Sequence, residues 1–497
     1  MNVSDYLLEV GNDNDLAIIT EGGQFTYRDL RNATARIIEV LQDNGVVSTN
    51  RVGLLGANSL FWVAAYLGIL KLGAVAVPFP TLSMPDEIKA YREFVGCKVT
   101  LVQQRFYGKY EGVLNDGSPL VFDDCLNKPP EKPLEDYLIA ADFDDYQEAV
   151  LMFTSGTTQK PRAVRISHHN IRANTDAIIE YLALTNEERI MVVLPFYYCF
   201  GTSLLHTHLR AGGSMVLSST FTFPEIVLDM MQTHHCTGFA GVPSTYQTLI
   251  RNTSLPRRRI GSLKKVQQAG GKLPAVQIKE LIDILPGAQI FIMYGATEAT
   301  ARLSYLPPSM LNEKMGSIGK GIPGVELKVL NEAGEPVKPG EIGEIVAWGE
   351  NVAMGYLNNP EATAEKFVDG AYRTGDLATV DEDGYIYIVD RKADFIKSYG
   401  HRVSSQQVEA CILELEDVVS AAAIGEPDPL SGEAIVVFVT LRAGSPLTTE
   451  DIFSHCRHKL ARYMAPKTIE ILDSLPLNSQ GKVLKSELRK RAVTAAS

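Results

Sequence analysis

Short apolar runs alternate with longer stretches of helical spacing along most of the chain. Val52-Gly53-Leu54-Leu55 reads as a strand, Leu60 to Leu70 as an apolar helix, and Ala74-Val75-Ala76-Val77 as a strand that stops at Pro78. Val150-Leu151-Met152-Phe153 is another strand, followed by a glycine-bearing turn and a helix from Asn170. Such alternation predicts an α/β architecture, with helices packed on largely parallel sheets. From 325 to 350 the texture changes. Val325 to Leu330 alternates strictly, turns at Gly334-Glu335-Pro336, and resumes at Gly343-Glu344-Ile345-Val346, which predicts an antiparallel, β-rich section.

After Arg391 it changes again. Ser404 and Gln407 have the spacing of a capping box for a helix with Val408, Ile412 and Leu415 on one face. Ala434 to Thr440 reads as a strand and Ile452 to Leu460 as a helix. The pattern therefore predicts a large N-terminal domain of α/β subdomains over residues 1–393, and a small α+β C-terminal domain over 394–497.

Composition narrows the function classes. The 497 residues are 45% hydrophobic, ordinary for a water-soluble protein, and the formal net charge is −12. That acidity argues against nucleic acid or an anionic membrane as main partner. Six scattered cysteines without a CxxC pair read as free thiols of a reducing compartment. The start shows no basic region followed by an apolar run, and Phe61 to Val77 is interrupted by Gly68, Lys71 and Gly73. The expectation is a cytoplasmic protein with no membrane span.

Four segments carry candidate chemistry. Thr154-Ser155-Gly156-Thr157-Thr158-Gln159-Lys160-Pro161-Arg162 follows a strand and is expected to lead into a helix. Its small residues, hydroxyls and two cations suit phosphate oxygens, although no Gly-Lys-Ser/Thr closes it as in a Walker A loop. A plain polar turn is the competing reading. Tyr294-Gly295-Ala296-Thr297-Glu298 puts a carboxylate at a strand end, where it suits Mg²⁺. Asp376, in Tyr372-Arg373-Thr374-Gly375-Asp376-Leu377, suits ribose hydroxyls; alone it reads more simply as a turn aspartate. Pro476-Leu477-Asn478-Ser479-Gln480-Gly481-Lys482 sets one lysine on a glycine-bearing turn, ordinarily a surface lysine. Paired histidines (His168-His169, His206 with His208, His234-His235) lack the companion spacing of a zinc site.

Taken together and in order, these segments closely resemble the adenylate-forming superfamily of acyl-CoA synthetases, peptide-synthetase adenylation domains and beetle luciferases. The resemblance runs from Phe25-Thr26-Tyr27 to Lys485. It includes Gly241-Val242-Pro243-Ser244, Ala269-Gly270-Gly271, Gly316 to Lys320, Gly355-Tyr356, Asp390-Arg391 and Ile396 to Val403. It implies an AMP-forming enzyme that joins a carboxylic acid to ATP as an acyl-adenylate and passes the acyl group to a thiol. The cofactors would be ATP, Mg²⁺, and coenzyme A or phosphopantetheine.

The resemblance also implies roles. Thr154, Ser155, Gly156, Thr157, Thr158 and Lys160 would order the β- and γ-phosphates, Thr157 lying near the metal. Thr297 would bond the α-phosphate and Glu298 would bind Mg²⁺. Gly270, Gly271, Tyr294 and Gly295 would form the adenine slot, and Asp376 with Arg391 the ribose clamp. Lys482 would bridge the carboxylate and the α-phosphate, offsetting charge between two anions. Asp394 would be a hinge that exchanges Lys482 for the loop of Lys397 and Gly400, where the pantetheine arm passes.

The chain departs from the family's Gly-x-Pro-Lys-Gly at Gln159-Lys160-Pro161-Arg162-Ala163. Gln159 for glycine predicts altered loop dynamics or weaker ATP binding, with activity retained. Tyr198, Cys199, Phe200, Gly201 and Ala296 fall in the acyl pocket. Cys199 stands where amino-acid-activating members carry an aspartate, and no acid occurs from Met191 to Arg210. A buried ammonium without a counter-charge costs several kcal/mol. An α-amino acid is therefore disfavoured, and an apolar aliphatic or aryl acid fits the aromatic lining. The acceptor stays open between coenzyme A and an acyl or peptidyl carrier protein. The alternatives are an amino-acid adenylation enzyme, a non-catalytic acyl- or adenylate-binding relative and, more weakly, a light-producing oxygenase.

Overall fold

Ser59 accepts a hydrogen bond from the Trp62 N–H and so starts the helix Leu60–Lys71, in which every residue from Phe61 onward is buried. A helix that is apolar all round belongs inside, and here it joins two sheets. The computed structural model describes residues 1–139, 142–154, 161–391, 394–478 and 481–495. One apolar cluster runs from Val52, Leu54 and Val150 in the first sheet, through Trp62 and Tyr66, to Val192, Met215 and Met293 in the second.

The first sheet has six strands in the order Leu120–Phe122, Val99–Val102, Arg51–Leu55, Val75–Phe79, Glu148–Phe153, Ala163–Ser167. All its pairs are parallel except the last. The second sheet has nine strands. Six parallel ones form its middle, from Gln289–Tyr294 to Leu16–Thr20, with antiparallel pairs at both ends. The expected α/β class with largely parallel sheets is the observed one.

Two local expectations need correction. The strand after the first helix does not stop at Pro78 but continues to Phe79, with Leu54 opposite Pro78. Its pairing with Glu148–Phe153 is confined to Ala76 opposite Val150, so past that point one edge has no ladder for a proline to break. The segment after Phe153 does not lead straight into a helix. It returns as the strand Ala163–Ser167, antiparallel to Glu148–Phe153, and the helix His168–Leu182 begins only then. The candidate phosphate loop is thus a hairpin connection.

The antiparallel section is a third sheet. Val325–Leu330, Gly343–Gly349 and Ala371–Val380 pair in succession, and Ile386–Arg391 pairs with Ala371–Val380. Residues beyond Ile396 form a fourth sheet around Val418–Asp428 and Gly432–Leu441, with apolar clusters of their own on both faces.

The helix Ser405–Ile412 forms with Val408 and Ile412 buried, but it ends before Leu415, and the predicted capping box does not form. The Ser404 hydroxyl instead bonds the Val389 carbonyl and the Asp390 carboxylate. Asp390 accepts from the Ser405 N–H and hydroxyl, so an acid from the preceding sheet caps this helix. Among the described residues no helix is long and apolar enough to cross a membrane.

Candidate active site

The site is assembled where strands of the second and third sheets end beside the helix Cys199–Arg210. Tyr198 is the N-cap of that helix and only 5% exposed. Gly201 sits where a side chain is impossible, since a Cβ there would lie 2.1 Å from the Pro195 carbonyl oxygen. That close turn brings Tyr198, Cys199 and Phe200 to one place.

Lys482 reaches the same place from the C-terminal sheet's end of the chain. Its N–H donates to Asn478 Oδ1 at 2.9 Å, and its carbonyl accepts from the Asn478 N–H at 2.8 Å. The Ser244 hydroxyl donates to the Gly481 carbonyl at 2.8 Å, pinning this turn to the large unit. The Lys482 Nζ then lies 5.5 Å from the centre of the Tyr198 ring. Gly270 lies between the two at φ +86°, and a Cβ there would meet Tyr198 Oη at 3.0 Å and Lys482 Cε at 3.7 Å. Glycine is therefore required at 270 by both conformation and space.

The other expected residues gather around this lysine. Gly295 and Ala296 carry the strand Gln289–Tyr294 into the Thr297–Ala299 turn. The Thr297 hydroxyl donates to Cys199 Sγ at 3.4 Å. Glu298 Oε1 accepts from the Tyr356 hydroxyl at 2.8 Å, and the Arg162 guanidinium lies 5.1 Å from the Tyr356 ring. Asp376 and Arg391 are direct cross-strand partners, with Arg391 Nε 3.2 Å from Asp376 Oδ1. Asp376 Oδ2 accepts from Tyr294 Oη at 2.5 Å. The carbonyl of Gly271 accepts from Gln268 Nε2 at 2.8 Å. Thr154 closes the mouth of its hairpin by donating its N–H to the Arg162 carbonyl at 3.1 Å. Ser155, Gly156, Thr157, Thr158, Gln159 and Lys160 lie outside the described residues.

Electrostatics ties the group together. Burial and the Arg391 guanidinium push the Lys482 ammonium below the ordinary lysine value, and Cys199, Asp376 and Glu298 pull it partly back. Burial pushes the Cys199 thiol up, the reverse of what a nucleophilic thiolate needs. Burial, with the Asp376 charge and its hydrogen bond, holds the Tyr294 phenol far above its usual value. His206, bonded to the Tyr66 hydroxyl at 2.9 Å, is pushed down to about 3 by burial and is a neutral core group. Among the described residues no three His, Cys, Asp or Glu side chains cluster as metal ligands. Glu298 nonetheless offers hard oxygen donors, and Mg²⁺ takes few protein ligands when phosphates and water supply the rest.

Two expected residues are not brought in. Lys397 is exposed on the strand Ile396–Ser398, its N–H bonding Glu433 Oε2 at 2.5 Å. Gly400, at φ +78°, has nothing within 4 Å of where a Cβ would project. Asp394 lies between the sheets; its N–H donates to the Arg391 carbonyl at 2.9 Å and its carboxylate is 3.3 Å from Arg489. Residue patterns assigned no role to Ser244 or Tyr356, and gave Arg162 only a charge suited to phosphate oxygens. Tyr356 stands in the Gly355-Tyr356 motif, but its contact with Glu298 spans 58 positions, which spacing does not reveal.

Comparison with known proteins identifies the family and the fold. The profile of the AMP-binding enzymes matches residues 10–357, and that of the AMP-binding enzyme C-terminal domain matches 407–482. A feruloyl-CoA synthase from Amycolatopsis sp is 33% identical, over 95% of this chain and 94% of its own. The structure of an anthranilate CoA ligase in complex with anthranoyl-AMP superposes with a TM-score of 0.92 at 28% identity, covering 100% of this chain and 98% of that one. An o-succinylbenzoate coenzyme A synthetase from Bacillus subtilis, in complex with ATP and magnesium, superposes at 0.85 with 27% identity, covering 98% and 99%.

Proposed function

The chain belongs to the AMP-binding enzymes and is an ATP-dependent, AMP-forming acid–thiol ligase; from that premise we propose which residues do the work and which acceptor is used. ATP and a small-molecule carboxylic acid are its substrates. The observation that carries the assignment is a single lysine ammonium held against Tyr198 and Gly270, with Thr297, Glu298, Asp376 and Arg391 around it.

Asp376 and Arg391 take the ribose, and Gly270, Gly271 and Tyr294 border the adenine. Thr297 turns its hydroxyl from Cys199 to the α-phosphate. Glu298, with Thr157 of the loop between the two strands, would hold a magnesium ion, which would supply charge neutralisation at the triphosphate. The acid's carboxylate oxygen attacks the α-phosphorus, the bond to pyrophosphate breaks, and Lys482 lies between the two anions while they approach. In the second half-reaction a thiol sulfur attacks the acyl carbon and AMP leaves. Coenzyme A is the proposed acceptor, because the relatives similar to this chain are acyl-CoA ligases; carrier-protein loading is the second reading. Residues 394–497 act as a mobile unit hinged at Asp394, which would bring Lys397 and Gly400 to the acyl-adenylate.

The test is pyrophosphate release from ATP and Mg²⁺ over a panel of aliphatic, aryl and amino acids, each with and without coenzyme A. One acid class should drive release, coenzyme A should accelerate turnover, and Lys482→Ala should lower the rate by roughly 10²–10³. Unchanged release in Lys482→Ala would remove the lysine from its role. Release indifferent to coenzyme A would favour a carrier protein.

A further inference from the structure

Lys485 is a cation at the wrong end of a helix. It is the first residue of Lys485–Ala495, where the backbone N–H groups already present partial positive charge and a carboxylate would be favoured. The helix gains its packing elsewhere, since Leu488 and Ala492 are buried against Ala422, Ile424 and Phe438 of the C-terminal sheet. What holds the ammonium is Glu409, 2.8 Å from Nζ, and the Ser405 hydroxyl, to which it donates at 2.7 Å. The two charged side chains are only 19% and 18% exposed, unlike the open Lys490–Glu487 pair on the same helix. Removing one partner of so sheltered a pair strands the other charge, so the two act together.

The hydrogen bonds of this cluster form a chain. Lys485 donates to Ser405 Oγ, and Ser405 Oγ donates to Asp390 Oδ2 at 3.0 Å. Glu409 Oε1 accepts from Lys485 and from the Ala423 N–H at 2.9 Å. Lys272 of the large unit, bonded to the Ile388 carbonyl at 3.4 Å, faces Asp390 and Glu409 as well. Each unit thus brings one acid and one cation to the contact. Asp390 precedes the proposed hinge, whereas Ser405, Glu409 and Lys485 follow it, so the chain of bonds crosses between the units. It ends three residues from Lys482. The segment that carries Lys482 is closed at its base: Leu477 and Val483 form a β-bridge, and the Leu484 N–H donates to the Pro476 carbonyl at 2.8 Å. A segment so closed moves with its base, and Lys485 is the polar anchor there.

We propose that Lys485 and Glu409 are positioning residues for adenylation. They tie the base of the Lys482 segment to Ser405, and through it to Asp390, so that docking of the two units also places the catalytic ammonium. The proposal rests on the adenylation role of Lys482 and adds two residues that touch neither acid nor nucleotide. A shift of about 1 Å at a reacting group costs roughly 10²-fold in rate, so slackening at the base is measurable. Thioester formation, which Lys482 does not serve, supplies the contrast.

The experiment uses the full chain and compares Lys485→Met, Glu409→Gln and Lys485→Arg with wild type and Lys482→Ala. Three quantities are measured: kcat and KM for pyrophosphate release, transfer of supplied acyl-adenylate to coenzyme A, and acetylation of Lys482 by acetic anhydride, followed by mass spectrometry. In Lys485→Met and Glu409→Gln, kcat for pyrophosphate release should fall at least tenfold, with KM for ATP within threefold. Transfer of supplied acyl-adenylate should stay within twofold, and Lys485→Arg should recover most of the lost rate. Lys482 should be acetylated at least threefold faster in the first two variants. Folded variants with wild-type pyrophosphate release overturn the proposal. So does an equal fall in both half-reactions, which would leave the pair a purely structural role. Glu409→Gln carries the comparison alone if Lys485→Met does not fold. Wild-type release by Lys482→Ala would sink the adenylation role and the proposal with it; a slow Lys482→Ala beside unimpaired pair variants would sink the proposal alone. If no acid is turned over, acetylation decides: faster modification in the variants supports the anchor, and unchanged modification overturns it.

Discussion

Lys482 shows how much a residue's meaning depends on its surroundings. In the sequence it is one of 47 lysines and arginines on a glycine turn. In the structure it is drawn in beside Tyr198, and burial together with Arg391 lowers its affinity for a proton. Its role requires the ammonium form, so rate should be lost as pH rises through the lowered value. We therefore expect kcat/KM for pyrophosphate release, which reports free-enzyme groups, to have an alkaline limb below the ordinary lysine range. Lys482→Arg should be slower but keep no such limb, since arginine stays protonated. An unchanged limb in Lys482→Arg would assign it to another group. Lys482, Glu298 and Asp376 were legible because each sits in an ordered motif. Cys199 was half legible: the lack of an acid near it could be read directly, but its raised thiol follows from burial that only packing reveals.

Elements were legible where one periodicity dominated and illegible where a partner from far along the chain decided. The apolar helix expected over Leu60 to Leu70 appears as Leu60–Lys71, and the alternating strand Val325–Leu330 appears as read. The hairpin after Phe153 was missed because the five residues Ala163–Ser167 merge into the helix that follows, and their strand character comes from pairing with Glu148–Phe153. The cap of Ser405–Ile412 was misassigned for a similar reason. Ser404 has the right type and spacing, but Asp390, 1% exposed, captures its hydroxyl and takes over the cap. Asp390→Ala should then leave the Ser404 and Ser405 groups unpaired and cost roughly 1–3 kcal/mol. A lowered thermal midpoint with faster hydrogen exchange at residues 405–412 is the expected result, and Ser404→Ala should do much less. Equal exchange in Asp390→Ala and wild type would return the cap to Ser404.

At the scale of the whole molecule, hydrogen bonds of Asp390 with Ser404 and Ser405, and of Ser244 with Gly481, are among those that join the last hundred residues to the rest. The first lies beside the proposed hinge and the second at the catalytic lysine. In this arrangement Lys482 is inside and the Ile396–Val403 hairpin is outside, with Tyr399 62% exposed and open space where a side chain at Gly400 would project. One arrangement therefore supplies the groups for adenylation and withholds those proposed for thioester formation, and a rotation about Asp394 would exchange them. Asp394 donates its N–H to the Arg391 carbonyl, a bond a proline cannot make, and proline also fixes φ. With Asp394→Pro, the first turnover of pyrophosphate should stay within a few-fold of wild type. Transfer from the enzyme-bound acyl-adenylate to coenzyme A should fall by at least about tenfold, since the barrier now includes a motion the backbone resists. Asp394→Ala serves as control, because it also removes the ion pair with Arg489 but leaves φ free. Loss of transfer in proline and not in alanine supports the hinge. Wild-type transfer in Asp394→Pro would mean that the thiol reaches the adenylate with Lys482 still in place.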